Sequence, residues 1–383
     1  MTVTSAKGFR AAGVAAGIKS GGGLDLALVV NDGPLDSAAG VVTGNRVKAA
    51  PVLWTQQVLA TGRVTAVVLN SGGANACTGP DGFADTHATA EAVAAALGVG
   101  AVDVAVCSTG LIGERLPMDA LLTGVEKAAA ALATSGGDGA AQAIMTTDTV
   151  RKTATAGGAG WTVGGMAKGA GMLAPGLATM LCVLTTDAAV GPGDCDVALR
   201  AATARTFDRV DSDGCMSTND TVLLLASGAS GRSPAPAEFT AAVEAVSADL
   251  CRQLLADAEG ATKDVAVEVV GAADEEDALE VGRAVARSNL LKCAFFGNDP
   301  NWGRVLAAVG TTRAAYEPDA LDVAINGVAV CRGGAAGEPR DQVDLSGRAV
   351  HVIVDLHAGP AIATVWTNDL SPAYVHENSA YSS

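Results

Sequence analysis

The residues with most chemical content lie in the stretch Lys168-Gly169-Ala170-Gly171-Met172-Leu173-Ala174-Pro175-Gly176-Leu177-Ala178-Thr179-Met180-Leu181. A loop rich in Gly and broken by Pro runs into a Thr, and that Thr opens an apolar run, 180–184, that reads as a buried strand. Such a loop can hold a backbone carbonyl in a strained position beside a hydroxyl. Attack of the Thr179 hydroxyl on the Ala178 carbonyl, followed by hydrolysis, would divide the chain and leave Thr179 with a free α-amine. A residue of that kind carries its own nucleophile and its own general base, because an α-amine has a pKa of about 7.7–8.0.

Other polar groups fit beside that chemistry without demanding it. Ser108-Thr109-Gly110 follows the apolar run 102–107. A hydroxyl and a Gly amide at a strand end can direct two donors at one oxyanion, and the same residues are common at any strand-to-turn transition. Lys168 reads equally as a solvated lysine or as an anchor for a carboxylate. Thr146-Thr147-Asp148-Thr149 caps a turn or binds a small polar ligand, the turn being the simpler reading. Glu259 is a helix-end carboxylate in solvent or an acid that meets a cationic amine. The tail 377–383 is of the kind that frays.

Several chemistries find no support. Gly169-x-Gly171-x-x-Ala174 partly matches a dinucleotide fingerprint, but Pro175, Gly176 and a β-like run follow where a helix should open. There is no G-x-S-x-G elbow, and none of His87, His351, His357 and His376 has a nucleophile-like context. No H-x-x-x-H, H-E-x-x-H or C-x-x-C spacing occurs, so no metal site is expected. The eight cysteines read as reduced, buried small hydrophobes. The net charge of −16 falls almost wholly on residues 179–383, which have 14 basic and 29 acidic side chains against 11 and 12 in residues 1–178. That balance disfavours nucleic acid and tolerates a cationic substrate.

The elements that must position these residues are legible as alternating patterns. Apolar runs at 26–30, 65–70, 102–108, 180–186, 221–227, 264–271, 321–330, 349–356 and 361–368 predict strands. Helical periodicity appears at 87–97, 120–133, 195–209, 237–259, 275–296 and 302–309, the fourth opened by Ser233-Pro234-Ala235-Pro236. The mixture predicts an α/β (α+β) layered protein. Gly136–139 and 157–160 read as surface loops. With 49% hydrophobic and only 3% aromatic residues, the core must be built from Val, Leu, Ala and Ile. Residues 1–20 lack the apolar centre of a signal peptide, no run approaches the ~20 apolar residues of a membrane span, and a cytoplasmic protein is expected.

Taken together, the motifs resemble the glutamate N-acetyltransferase family of arginine biosynthesis, also called ornithine acetyltransferases. The resemblance covers essentially the whole chain and is densest at 45–51 (Asn-Arg-Val-Lys-Ala-Ala-Pro), at 70–79 (Asn-Ser-Gly-Gly-Ala-Asn-Ala-Cys-Thr-Gly), at Ser108-Thr109-Gly110, at 161–180, at Asp299-Pro300-Asn301-Trp302-Gly303-Arg304 and at 377–383. It implies a precursor cut between Ala178 and Thr179 into an α chain, 1–178, and a β chain, 179–383, that fold as one unit and assemble as α2β2. It implies an αββα sandwich that resembles N-terminal nucleophile hydrolases in its layers but is differently connected. Thr179 would be the nucleophile and Thr109 with Gly110 the oxyanion hole. Thr146, Lys168, Thr179, Glu259, Asn378 and Ser383 match the family's substrate-binding positions. Leu177 stands where the family often has Met, and both terminal residues are Ser where the family varies between Ser and Thr.

The implied reaction moves an acetyl group from N2-acetylornithine to L-glutamate through an acetyl-Thr179 ester, with ping-pong kinetics and no cofactor. Charge matching gives Lys168 the shared α-carboxylate and Glu259 the amino-bearing part of the substrate. Three other readings stand behind it: a bifunctional enzyme that also loads Thr179 from acetyl-CoA, a self-processing aminopeptidase or amidohydrolase, and an acidic scaffold whose 168–181 loop is only structural.

Overall fold

Strands that are buried along their whole length explain the architecture of the first 230 residues. In the computed structural model, which describes residues 1–174 and 180–380, β2 (Leu26–Asn31), β4 (Ala66–Asn70), β5 (Val104–Ser108), β8 (Leu181–Thr186) and β9 (Thr221–Ala226) have every residue buried. Near-continuous apolar sequence is what a strand covered on both faces requires. With β1 (Phe9–Val14), the first three form a four-stranded sheet in the order β1-β2-β4-β5. A five-stranded sheet runs β3-β9-β8-β7-β6, with β3 (Ser37–Val42), β6 (Lys152–Gly158) and β7 (Trp161–Lys168).

The two sheets lie face to face. Met166, Leu181, Val183, Leu223 and Leu225 share one core with Leu28, Val67 and Val106 of the first sheet. The alternate residues Cys182, Leu184, Val222 and Leu224 belong to a second core beneath α5 (Pro192–Arg205) and α6 (Pro236–Ala256), as the two-residue period of a strand dictates. The outer face of the first sheet is covered by α1 (Ala50–Leu59), α2 (Gly79–Leu97), α3 (Met118–Ala130) and α4 (Gly137–Ala143). This is the expected αββα order.

A third sheet, which no reading of the sequence separated from the sandwich, holds the C-terminal part. Its order is β13-β12-β11-β14-β10-β15, with β10 (Asp264–Ala272), β11 (Asp322–Ile325), β12 (Val328–Arg332), β13 (Ala335–Ala336), β14 (Ala349–Asp355) and β15 (Ala361–Asn368). Here β10 and β14 alternate buried with more exposed positions, because one face packs on α7 (Glu275–Ala286), α8 (Asn289–Phe296) and α9 (Trp302–Val309) while the other is more open.

Several expectations are corrected. The run 321–330 is a hairpin, not one strand: Asn326 and Gly327 both have positive φ, the requirement of a tight primed turn. The helical pattern 275–296 is two helices, broken where the Ser288 hydroxyl caps α8 by accepting from Leu291 N–H (3.4 Å). Residues 137–139 open α4, and 157–158 end β6 in a hairpin to β7, so neither Gly cluster is simply a surface loop. Residues 377–380 are the end of helix α10 (Pro372–Ala380), not a frayed tail. Cys77, Cys215 and Cys293 are exposed, while the other five cysteines are buried, and all eight are free. Among the described residues no helix is long and apolar enough to cross a membrane.

Candidate active site

Strand ends converge on one point between the two sandwich sheets. β5 ends at Ser108 and delivers Thr109 and Gly110; β7 ends at Lys168; β8 and β9 both begin there. Thr109 is held by its N–H, which donates to Asn70 O (3.0 Å), and Asn70 Nδ2 donates to Ser108 Oγ (2.7 Å). Gly110 has φ +130°, and a Cβ on it would stand 2.8 Å from Gly73 N. No other residue fits that backbone.

Lys168 reaches across from the facing sheet, and its Nζ donates to Thr109 Oγ1 at 3.2 Å. The lysine is only 2% exposed. A hydroxyl that accepts from an ammonium is a stronger donor of its own proton, so the pair is suited to a developing oxyanion. Burial pushes the Lys168 pKa below its usual value of 10.5; Asp148, Asp220 and Glu259 oppose that push, and Lys152 adds to it.

The remaining candidates surround this pair. Thr146 lies in the loop after α4, where its N–H donates to Asp148 Oδ2 (3.0 Å). Glu259 lies in the loop after α6; its N–H donates to Ala170 O (3.0 Å), and its Oε2 accepts from Asn378 Nδ2 (2.9 Å) on α10. The Glu259 carboxylate packs so closely on Gly171 that a Cβ there would meet Oε2 at 2.6 Å. Thr109 and Gly110, Thr146, Lys168, Glu259 and Asn378 are therefore brought together from five separate segments. Ala178, Thr179 and Ser383 lie outside the described residues; the flanking Ala174 and Met180 are both buried. No helix opens within 169–174, which removes the dinucleotide reading.

A profile of the ArgJ family matches residues 10–383. The chain belongs to the ArgJ family. It is an enzyme, an acetyltransferase of arginine biosynthesis. It is 69% identical to the arginine biosynthesis bifunctional protein ArgJ of Streptomyces avermitilis over 383 residues, all of both chains. The ArgJ protein of Thermobifida fusca is 66% identical over 382 residues, again all of both chains. Among solved structures, the bifunctional protein argJ of Bacillus halodurans is 34% identical with a TM-score of 0.50, covering 52% of this chain and 98% of that one. The ornithine acetyltransferase of Mycobacterium tuberculosis, complexed with ornithine, is 66% identical with a TM-score of 0.45, covering 47% of this chain and 96% of that one.

In this ArgJ-family chain the structure adds residues that the sequence reading passed over. Asp148 is buried and binds three groups: Thr146 N–H, Gly169 N–H (2.7 Å) and Lys152 Nζ (2.6 Å). Lys152, fully buried, also donates to Asp257 Oδ2 (2.6 Å), and Asp257 accepts from Thr149 N–H (3.0 Å) and the Thr149 hydroxyl. Burial pushes the Asp148 carboxyl up, but the Lys168 and Lys152 ammoniums with the Gly169 N–H outweigh it and hold it below the usual range. Asp148 stood in the polar cluster 146–149, which was the available signal. Its charge interaction with Lys168 joins a loop to a strand end that no spacing pattern connects.

Proposed function

We propose that the chain cuts itself between Ala178 and Thr179 and then transfers acetyl from N2-acetylornithine to L-glutamate, giving ornithine and N-acetylglutamate. In the first step the Thr179 hydroxyl adds to the Ala178 carbonyl carbon, the C–N bond breaks, and the proton lost from the hydroxyl goes to the departing nitrogen. Water then cleaves the resulting ester, leaving the Ala178 carboxylate and a free α-amine on Thr179. In turnover the same hydroxyl adds to the acetyl carbonyl while the α-amine takes its proton. That proton passes to the ornithine nitrogen as the amide breaks; the amine of glutamate then adds to the acetyl carbonyl, the bond to Thr179 Oγ breaks, and the proton lost from that amine passes through the Thr179 α-amine to Oγ.

The observation that carries this reading is the Lys168–Thr109 contact. A hydroxyl polarised by a buried cation sits beside a Gly amide, on the strand ends that flank the 174–180 segment. Lys168 also supplies the positive charge for the α-carboxylate that both substrates share, and Glu259, with Asn378, a negative site for the amine-bearing end. The B. halodurans chain, matched almost completely by about half of this one, supports a mature enzyme made of two chains. We place those chains in an α2β2 assembly in the cytoplasm. Relatives named bifunctional favour a second donor, acetyl-CoA, loading the same Thr179.

Denaturing intact mass of the purified protein, beside a Thr179→Ala variant, tests the reading. Two fragments meeting at 178/179 are expected in the wild type and one chain in the variant, followed by glutamate-dependent release of ornithine from acetylornithine. A folded wild type that remains one chain would overturn the mechanism. Release of free CoA from acetyl-CoA in the presence of glutamate would establish the second donor.

A further inference from the structure

Two adjacent side chains at the start of β9 tie together the segments that flank the two halves of the chemistry. Asn219 Nδ2 donates to Ser108 O (2.8 Å), at the end of β5, and to Ala74 O (2.6 Å), in the loop after β4, and Ser108 precedes Thr109. Asp220 turns to the other sheet, where its Oδ1 accepts from Met180 N–H (3.0 Å). Thr221 N–H donates to Met180 O (3.1 Å), so both backbone groups of the residue after Thr179 are fixed by residues 220 and 221. The dipeptide is itself anchored, because Thr43 N–H donates to Asp220 O (2.9 Å).

Asp220 is fully buried, and among the described residues its Oδ2 has no hydrogen-bond partner. An ordinary structural carboxylate at a strand start would fill both oxygens, since an unmet buried acceptor is costly. Burial raises its pKa well above the usual carboxyl value, against the pull of Met180 N–H, Ser217 and the Lys168 charge.

We propose that Asn219 and Asp220 are a positioning pair that sets the distance and orientation between the nucleophile at residue 179 and the oxyanion donors at Thr109 and Gly110. The proposal rests on the reading of Thr179 as nucleophile. Neither side chain touches substrate; each acts through the backbone next to a reacting group. Misplacement of such groups by about 1 Å can cost ~10²-fold in rate.

The test compares wild type, Asp220→Ala, Asp220→Asn and Asn219→Ala by two readouts: the rate of self-cutting by intact mass, and kcat and KM for acetyl transfer per cut chain. Asp220→Ala is expected to slow cutting and to lower kcat by about 10²-fold, with KM for both substrates little changed. Asp220→Asn, which keeps an acceptor for Met180 N–H without a charge, is expected to recover most of that loss. Asn219→Ala is expected to lower kcat in the same way and keeps the test alive if Asp220→Ala does not fold. Wild-type cutting and kcat in Asp220→Ala, a loss confined to KM, or an Asp220→Asn variant no better than Asp220→Ala would each overturn the proposal while leaving the function reading intact. A wild type that never cuts overturns that reading, and this proposal with it.

Discussion

Thr109 owes its chemical character to where its strand stops. The residue is 5% exposed, its hydroxyl is backed by the buried Lys168 ammonium, and it adjoins a Gly whose backbone no side chain would tolerate. At this scale one substitution is decisive. Thr109→Val keeps the shape and removes the donor, so kcat is expected to fall by about 10²–10³-fold with KM nearly unchanged, as for loss of a single oxyanion donor. Steady-state kinetics on cut enzyme measure it. A variant with a normal kcat would assign the hydroxyl to packing alone.

The loops after α4 and α6 carry Thr146 and Glu259, the end of β7 carries Lys168, and the buried Asp148–Lys152–Asp257 chain of charges pins these segments to one another. Two carboxylates around one lysine leave a negative surplus that the nearby Lys168 charge offsets at Asp148. The pH behaviour follows. Burial holds the Lys168 pKa below 10.5, so its ammonium, and with it the proposed affinity for a carboxylate substrate, is expected to be lost on raising pH through that lowered value. Asp148 resists the lowering. In Asp148→Asn that support is gone, and the basic limb of the kcat/KM profile is expected to move to lower pH. The acid limb has no such dependence on Lys168. An unmoved basic limb would mean that Lys168 does not set it.

Attachment of the third sheet to the sandwich depends on another buried lysine. Lys292 on α8 donates to Ser212 O (2.6 Å), to Thr367 Oγ1 (2.8 Å) and to Asn368 O, joining the 211–216 loop to the end of β15. Burial lowers its pKa from 10.5 to about 8, against the pull of Asp213, Asp211 and Asp369. In the unfolded chain the lysine keeps its proton up to about 10.4. Between about pH 8 and that value the unfolded state therefore binds more protons, and this lysine's contribution to stability rises with pH; it is fully present above the unfolded value and lost as pH falls through the folded one. Urea midpoints of wild type and Lys292→Met, measured from pH 7 to 10, are expected to diverge in favour of the wild type as pH rises. Parallel curves would show that Lys292 titrates like an exposed lysine.

Local pattern was enough for much of this molecule. Buried strands such as 181–186 and 221–226 declare themselves because a strand covered on both faces has to be apolar throughout, and α6 begins at Pro236 where the proline signal placed it. The Ser-Thr-Gly after β5 and the long motifs were equally legible, since each is contiguous. β6 and β7 were missed because Gly and Thr dilute their apolar alternation, and their burial comes from the neighbouring sheet and α6. The candidate site divides on the same principle. Thr109 and Lys168 are 59 residues apart, Lys152 and Asp257 are 105 apart, and Asn219 and Ser108 are 111 apart. One-dimensional spacing carries no trace of such pairs. Whether a lysine or an aspartate is solvated or buried beside its opposite charge depends on through-space distance and loss of water, and only the packing of the two sheets decides both.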